Sequence, residues 1–131
     1  MKTIRRIPTE LTIPIRHQAL YPNRELALAH TEDDAHAKHY GLFLETTCIA
    51  VITKVNHPHA IQLRKFATLP EFQNQGYGSM LLNHVLSLCT GRVILNARIE
   101  KSSFYGRFGF KQTGHTLSRN NIDYCEMEVL L

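Results

Sequence analysis

The sequence predicts an α/β fold in one domain spanning residues 1–131: a mixed sheet of about six to seven strands with a parallel pair at its centre, flanked by three to four helices. Three observations carry this expectation. Apolar strand segments precede and follow one strongly amphipathic helix, and a strand, crossover helix and strand of that length pair in parallel. Hydrophobic content of 44% with 20% charge suits a packed globular core. At 131 residues that core needs neither disulfides nor metal.

The elements follow in order. "TELTIPIRHQAL" (9–20) predicts a short helix opened by Thr9, with Pro14 limiting its length. The polar, turn-rich stretch 21–39 reads as a long surface connection. Strands are expected over residues 40–45, 47–55 and 60–68, separated by turns and stopped by Pro70. The third strand changes phase: Ile61 and Leu63 share one face, whereas Phe66 falls on the other. A β-bulge would produce that switch, and so would burial of both faces. Leu81, Leu82, Val85, Leu86 and Cys89 form a 3.6-residue stripe that predicts a helix over 79–89, with Gly91 as its stop. "RVILNA" (92–97) is a buried-type strand, 100–109 a short helix ending at Gly109, and "FKQTGHTL" and "NIDYCEMEVLL" two closing strands.

No apolar run approaches the ~20 residues of a membrane span, and the N-terminus lacks the apolar core of a secretory signal. A cytoplasmic location with no membrane partner is expected. Cys48, Cys89 and Cys125 are widely spaced and form no C-x-x-C pair, which suits buried thiols in a reducing compartment. The net charge of +4 is spread without a basic run or aromatic-interleaved patch, so nucleic acid is not expected as a partner. "HTEDDAHAKH" gathers histidines and acids without a recognised ligand spacing, and no metal is expected.

The segment "EFQNQGYGSMLLNHVLSLC" (71–89) places two of the seven glycines where this helix begins, although glycine costs a helix about 1 kcal/mol against alanine. A helix N-terminus offers unpartnered N–H groups and partial positive charge, a site for phosphate. Glycines admit the phosphate closely or supply positive φ, and Gln73 can add a donor. A tight turn that binds nothing accounts for G-x-G equally well. The stretch lacks the third glycine of a dinucleotide fingerprint and the Gly-Lys-Ser/Thr of a nucleotide P-loop.

A third pattern fits. "QNQGYG" (73–78) matches Q/R-x-x-G-x-G/A, and "NARIEKSSFYGRFGF" (96–110) matches N-A-R-x-x-A-x-x-F-Y-x-x-x-G-F. Together they resemble the acetyl-CoA signature of the GNAT superfamily of N-acetyltransferases in a small bacterial-type member, best over residues 47–117. The resemblance implies a splayed parallel strand pair that admits the cofactor. It implies that Phe66, Ala67 and Thr68 pair with the pantetheine arm. Gln73, Asn74, Gln75, Gly76, Tyr77, Gly78 and Ser79 would cradle the pyrophosphate. Asn96 would end the splayed strand and Tyr105 would sit at the cofactor sulfur. Lys101 stands where the family usually has alanine, and would reach the cofactor's phosphates or extend into solvent.

The implied activity is acetyl transfer from acetyl-CoA to a primary amine of a small-molecule or peptide acceptor. A CoA-binding module without turnover is the alternative, and a homodimer is compatible with the fold. Tyr105 is the expected general acid, since a phenol of pKa near ~10 can protonate a departing thiolate. For the base, Asp33, Asp34, Glu45, Glu71 and His39 are open alternatives. Arg16 and Arg64 would either bind an acceptor carboxylate or form structural ion pairs.

Overall fold

The computed structural model describes residues 1–131. Seven strands form a mixed sheet in the order β1-β2-β3-β4-β5-β7-β6. The elements are β1 (Lys2–Ile7), α1 (Thr9–Leu20), β2 (Lys38–Leu44), β3 (Thr47–Asn56), β4 (Ile61–Thr68), α2 (Tyr77–Leu86), β5 (Arg92–Arg98), α3 (Ser102–Gly106), β6 (Lys111–Arg119) and β7 (Ile122–Leu130). The α/β class, strand count and number of helices agree with the sequence. Two compact units are formed, residues 1–55 with 63–88, and residues 56–62 with 89–131.

In the first unit β1 pairs antiparallel with β2, and β2 with β3. Ile49, Ala50, Val51 and Ile52 of β3 are all fully buried, so this strand is covered on both faces. Ile7, Ile15, Phe43, Val51 and Ala67 form one apolar cluster, and α2 turns Leu81, Leu82 and Val85 inward. β1 has no counterpart in the expected element order. Only Ile7 of its six residues is buried, so the segment carries little apolar signal and is held mainly by its ladder to β2. Proline 14 lies inside α1 without ending it. Within β4, Lys65 takes φ 52, a backbone irregularity at the point where the apolar pattern changes phase.

In the second unit β7 is the middle strand, antiparallel to β5 and β6. Val93, Leu95 and Ala97 of β5 stand opposite Val129, Met127 and Cys125, and form the buried face. Gly91 is not the stop of α2, which closes at Ser87. Its N–H and C=O instead exchange hydrogen bonds with Leu131 at 2.9 and 2.8 Å. The expected helix over 100–109 is a single 3₁₀ turn, Ile99–Lys101, followed by α3.

Candidate active site

The end of β4 leads into the glycine segment within the first unit. Phe66 and Thr68 are half-buried, while Ala67 packs into the apolar cluster. Pro70 opens a 3₁₀ turn over Pro70–Phe72, and Asn74 takes φ 62. Gly76 then caps α2 with φ 88, a left-handed conformation open to glycine at no steric cost. Gly78 is used differently. A Cβ built there would lie 3.2 Å from Cζ of Phe66 and 3.4 Å from Oγ1 of Thr68, so its lack of a side chain keeps the helix against the strand end.

The first intrahelical bond at this end runs from Met80 N–H to the Gly76 carbonyl at 3.1 Å. The N–H groups of Tyr77, Gly78 and Ser79 precede it and have no intrahelical acceptor, and no side chain caps the helix. Gln73 and Gln75 are exposed, and their amides bond locally. Gln73 Nε2 donates to the Thr68 carbonyl at 2.9 Å, and Gln75 Nε2 to the Glu71 carbonyl at 3.0 Å. Each NH₂ group keeps a second hydrogen for another acceptor. The Tyr77 ring lies edge-on to Phe72 at 6.3 Å, with the Lys2 ammonium 5.9 Å from its centroid. The structure thus brings together the residues from Phe66 to Ser79 in one strand–turn–helix.

Of the alternatives for a base, Asp33, Asp34, Glu45 and His39 are engaged elsewhere in the same unit, and Glu71 is exposed in the turn Pro70–Phe72. Arg16 is fully buried and grips both carboxylate oxygens of Asp34 at 3.0 Å. It also donates to the Ala29 carbonyl at 2.9 Å and to Thr53 Oγ1 at 2.6 Å. Thr53 therefore has its own hydrogen for Nδ1 of His39, 2.8 Å away, and His39 Nε2 faces the Asp34 carbonyl at 3.1 Å. This pattern assigns a neutral His39 protonated at Nε2. Burial, together with the Arg16 charge, holds its pKa below the usual value. Burial raises Asp34, but the Arg16 and Thr31 hydrogen bonds outweigh it, and the net shift is downward. Asp33 pairs with Arg64 at 2.6 Å, and Glu45 pairs with the N-terminal amine. Arg16 and Arg64 are thus structural ion pairs that bind the segment 29–34 to α1 and β4.

In the second unit, Asn96 is exposed on β5 and Lys101 is exposed at the start of α3. Tyr105 makes edge-to-face contacts with Phe104 at 5.2 Å and Phe110 at 6.1 Å. Burial pushes its phenol well above the usual range, against the opposing charge of Arg98. Asn96 stands directly opposite Glu126 of β7, so both side chains project from the same face. The Glu126 carboxylate accepts a 2.8 Å hydrogen bond from Thr113 Oγ1 of β6. Sequence reasoning passed over Glu126. The alternation of "IDYCEMEV" marks Tyr124, Glu126 and Glu128 as one face, but nothing local says which strand lies beside it.

A family profile described as Acetyltransferase (GNAT) domain matches residues 19–131. The N-acetyltransferase YitI of Bacillus subtilis is 28% identical over 128 residues, covering 87% of this chain and 85% of the relative. A GNAT family acetyltransferase from Elizabethkingia anophelis, solved with acetyl-CoA bound, superposes with a TM-score of 0.74 at 18% identity over 99% of this chain and 98% of its own. The ribosomal-protein-S18-alanine N-acetyltransferase of Escherichia coli superposes with a TM-score of 0.77 at 18% identity over 98% and 93%. These structures share the fold, and the profile spans most of the sequence: this chain is an N-acetyltransferase of the GNAT family.

Proposed function

We propose that residues 1–131 act as one acetyl-CoA-dependent domain that moves an acetyl group directly to a primary amine on a small-molecule or peptide acceptor. The observation that carries this reading is the start of α2. Three N–H groups lack intrahelical partners behind a left-handed Gly76, and a glycine at 78 lets the helix start close against Phe66 and Thr68 at the end of β4. Such an end favours a pyrophosphate by both hydrogen bonding and dipole. Gln73, Asn74 and Gln75 would add donors, and the backbone of Phe66, Ala67 and Thr68 would pair with the pantetheine. Asn96 and Lys101 are assigned to the cofactor on the resemblance of their segment to the family motif. The acetyl-CoA held by the Elizabethkingia neighbour supports the choice of co-substrate.

Tyr105 is assigned to the leaving sulfur. Its raised pKa keeps the phenol protonated throughout the physiological range. Full transfer from so weak an acid to a thiolate of pKa about 8.5 is uphill. Its contribution is therefore a hydrogen bond that strengthens as the carbon–sulfur bond breaks, with solvent completing protonation.

The test has two readouts. Saturating CoA at about 100 times its dissociation constant should stabilise the protein by ~2.7 kcal/mol and raise Tm. Acetyl-CoA with pooled primary amines should release free thiol. An unmoved Tm at millimolar CoA refutes the assignment, and binding without thiol release leaves a CoA-binding module.

A further inference from the structure

The second unit carries a half-buried carboxylate, Glu126, that forms no ion pair. Glu128 of β7 is paired with Arg92 at 2.7 Å, and Asp123 accepts a hydrogen bond from Ser118. Arg98, on the same face, acts on the Tyr105 phenol. Glu126 has one hydrogen bond, from the neutral hydroxyl of Thr113. A carboxylate drawn out of water without a countercharge is costly, and proteins ordinarily pair it.

The surrounding backbone is arranged around that carboxylate. The β6–β7 register shifts between Gln112 and Thr116, and Gly114 takes φ 100 at the irregularity. Thr113 Oγ1 accepts from the His115 N–H at 3.3 Å across this bulge and donates to Glu126. Bulges re-aim side chains next to binding sites. Across β5, the exposed Asn96 adds an uncharged amide opposite Glu126. Two residues along β7, Tyr124 lies opposite Leu117 of β6, and with Ile99, Thr116, Ser118 and Asp123 these side chains line an open groove of mixed polarity. The face therefore offers one carboxylate outside any ion pair, neutral polar groups and the apolar side chains of Ile99, Leu117 and Tyr124.

We propose that Glu126 determines acceptor specificity by binding a positive charge on the amine acceptor, whose carbon stem lies along Ile99, Leu117 and Tyr124. This rests on the acetyltransferase reading and names its substrate class: small amines that carry a second cation on an apolar stem. Asn96 stands beside this carboxylate and adds hydrogen-bonding capacity. Thr113 is a positioning residue.

Three acceptors with one stem length isolate the charge: 1,5-diaminopentane, pentylamine and 5-aminopentanoate. The wild type should prefer them in that order by kcat/KM. Glu126→Gln keeps the shape and can still accept from Thr113, and should raise KM for the diamine about ten- to a hundredfold, the usual worth of a charged hydrogen bond. Its kcat for the diamine and its CoA affinity should stay within about twofold, and Glu126→Asp should recover part of the diamine preference. Equal use of the three acceptors by the wild type, an unchanged KM in the glutamine variant, or turnover of none of them overturns the proposal. Loss confined to kcat does so as well, since it makes Glu126 part of the chemistry and not of recognition. A CoA-induced rise in Tm together with thiol release from pooled primary amines separates these failures from failure of the acetyltransferase reading.

Discussion

Tyr105 and Arg16 show how burial gives two polar side chains opposite duties. The Tyr105 phenol is desolvated among aromatic rings and so holds its proton. Tyr105→Phe removes one oxygen and keeps the ring. We expect kcat and kcat/KM to fall together by about 10²-fold or more, the loss typical of a donor to developing negative charge. CoA affinity, measured directly, should change little, and turnover within about twofold of wild type would reduce Tyr105 to packing. Arg16 is buried to hold other groups in place. Its guanidinium joins α1 to Asp34, the Ala29 carbonyl and Thr53. Arg16→Leu would leave Asp34 without its partner and should cost about 3–5 kcal/mol in chemical denaturation. A loss below ~1 kcal/mol would mean that the network is dispensable.

The glycine helix start divides two tasks between two residues. Gly76 provides the left-handed φ of 88 that turns the chain into α2. No atom lies within 4 Å of a Cβ built there, so Gly76→Ala pays only for backbone strain, about 1–2 kcal/mol. Gly78 has helical backbone but close neighbours. Gly78→Val would force a branched side chain against Phe66 and Thr68, which are 3.2 and 3.4 Å from its Cβ. It should weaken CoA binding at least tenfold in titration calorimetry and also destabilise the fold. A folded Gly78→Val protein with wild-type CoA affinity would remove the helix start from the cofactor site. Sequence reasoning located this pair by its spacing. It left open which glycine needed positive φ and which needed space, because that depends on where β4 ends beside the helix.

For the whole molecule, acid should be destabilising for two separable reasons. His39 has a folded pKa below its unfolded value, so the unfolded chain binds the extra proton first. Stability is then lost as pH falls below about 6.5 toward the folded value. Asp34 is likewise depressed, and its contribution disappears as pH falls below about 4. Urea midpoints across pH 3–8 should therefore decline in two stages, and His39→Gln should flatten the upper one. A midpoint constant from pH 8 to 5 would contradict the neutral, buried assignment of His39.

Features that depend on neighbours along the chain are legible in the residues alone. The amphipathic stripe of α2, the apolar runs of β3 and β5, and the spacing of "QNQGYG" and "NARIEKSSFYGRFGF" are local, and they carried the α/β class and the family. Tertiary structure decided the rest. β1 exists because its backbone completes a ladder with β2, although its side chains are mostly polar. Asp33 and Asp34 lie in a polar connection and His39 at the start of β2, yet Arg16, Arg64 and Thr53, up to 31 residues away, engage them. Glu126 acquires meaning only from β5 and β6 on either side of β7. Hydrophobic periodicity records which way a side chain faces, because burial acts on each residue's own surface. The partner of a polar group is chosen by strand pairing across long stretches of chain, and periodicity carries no trace of it.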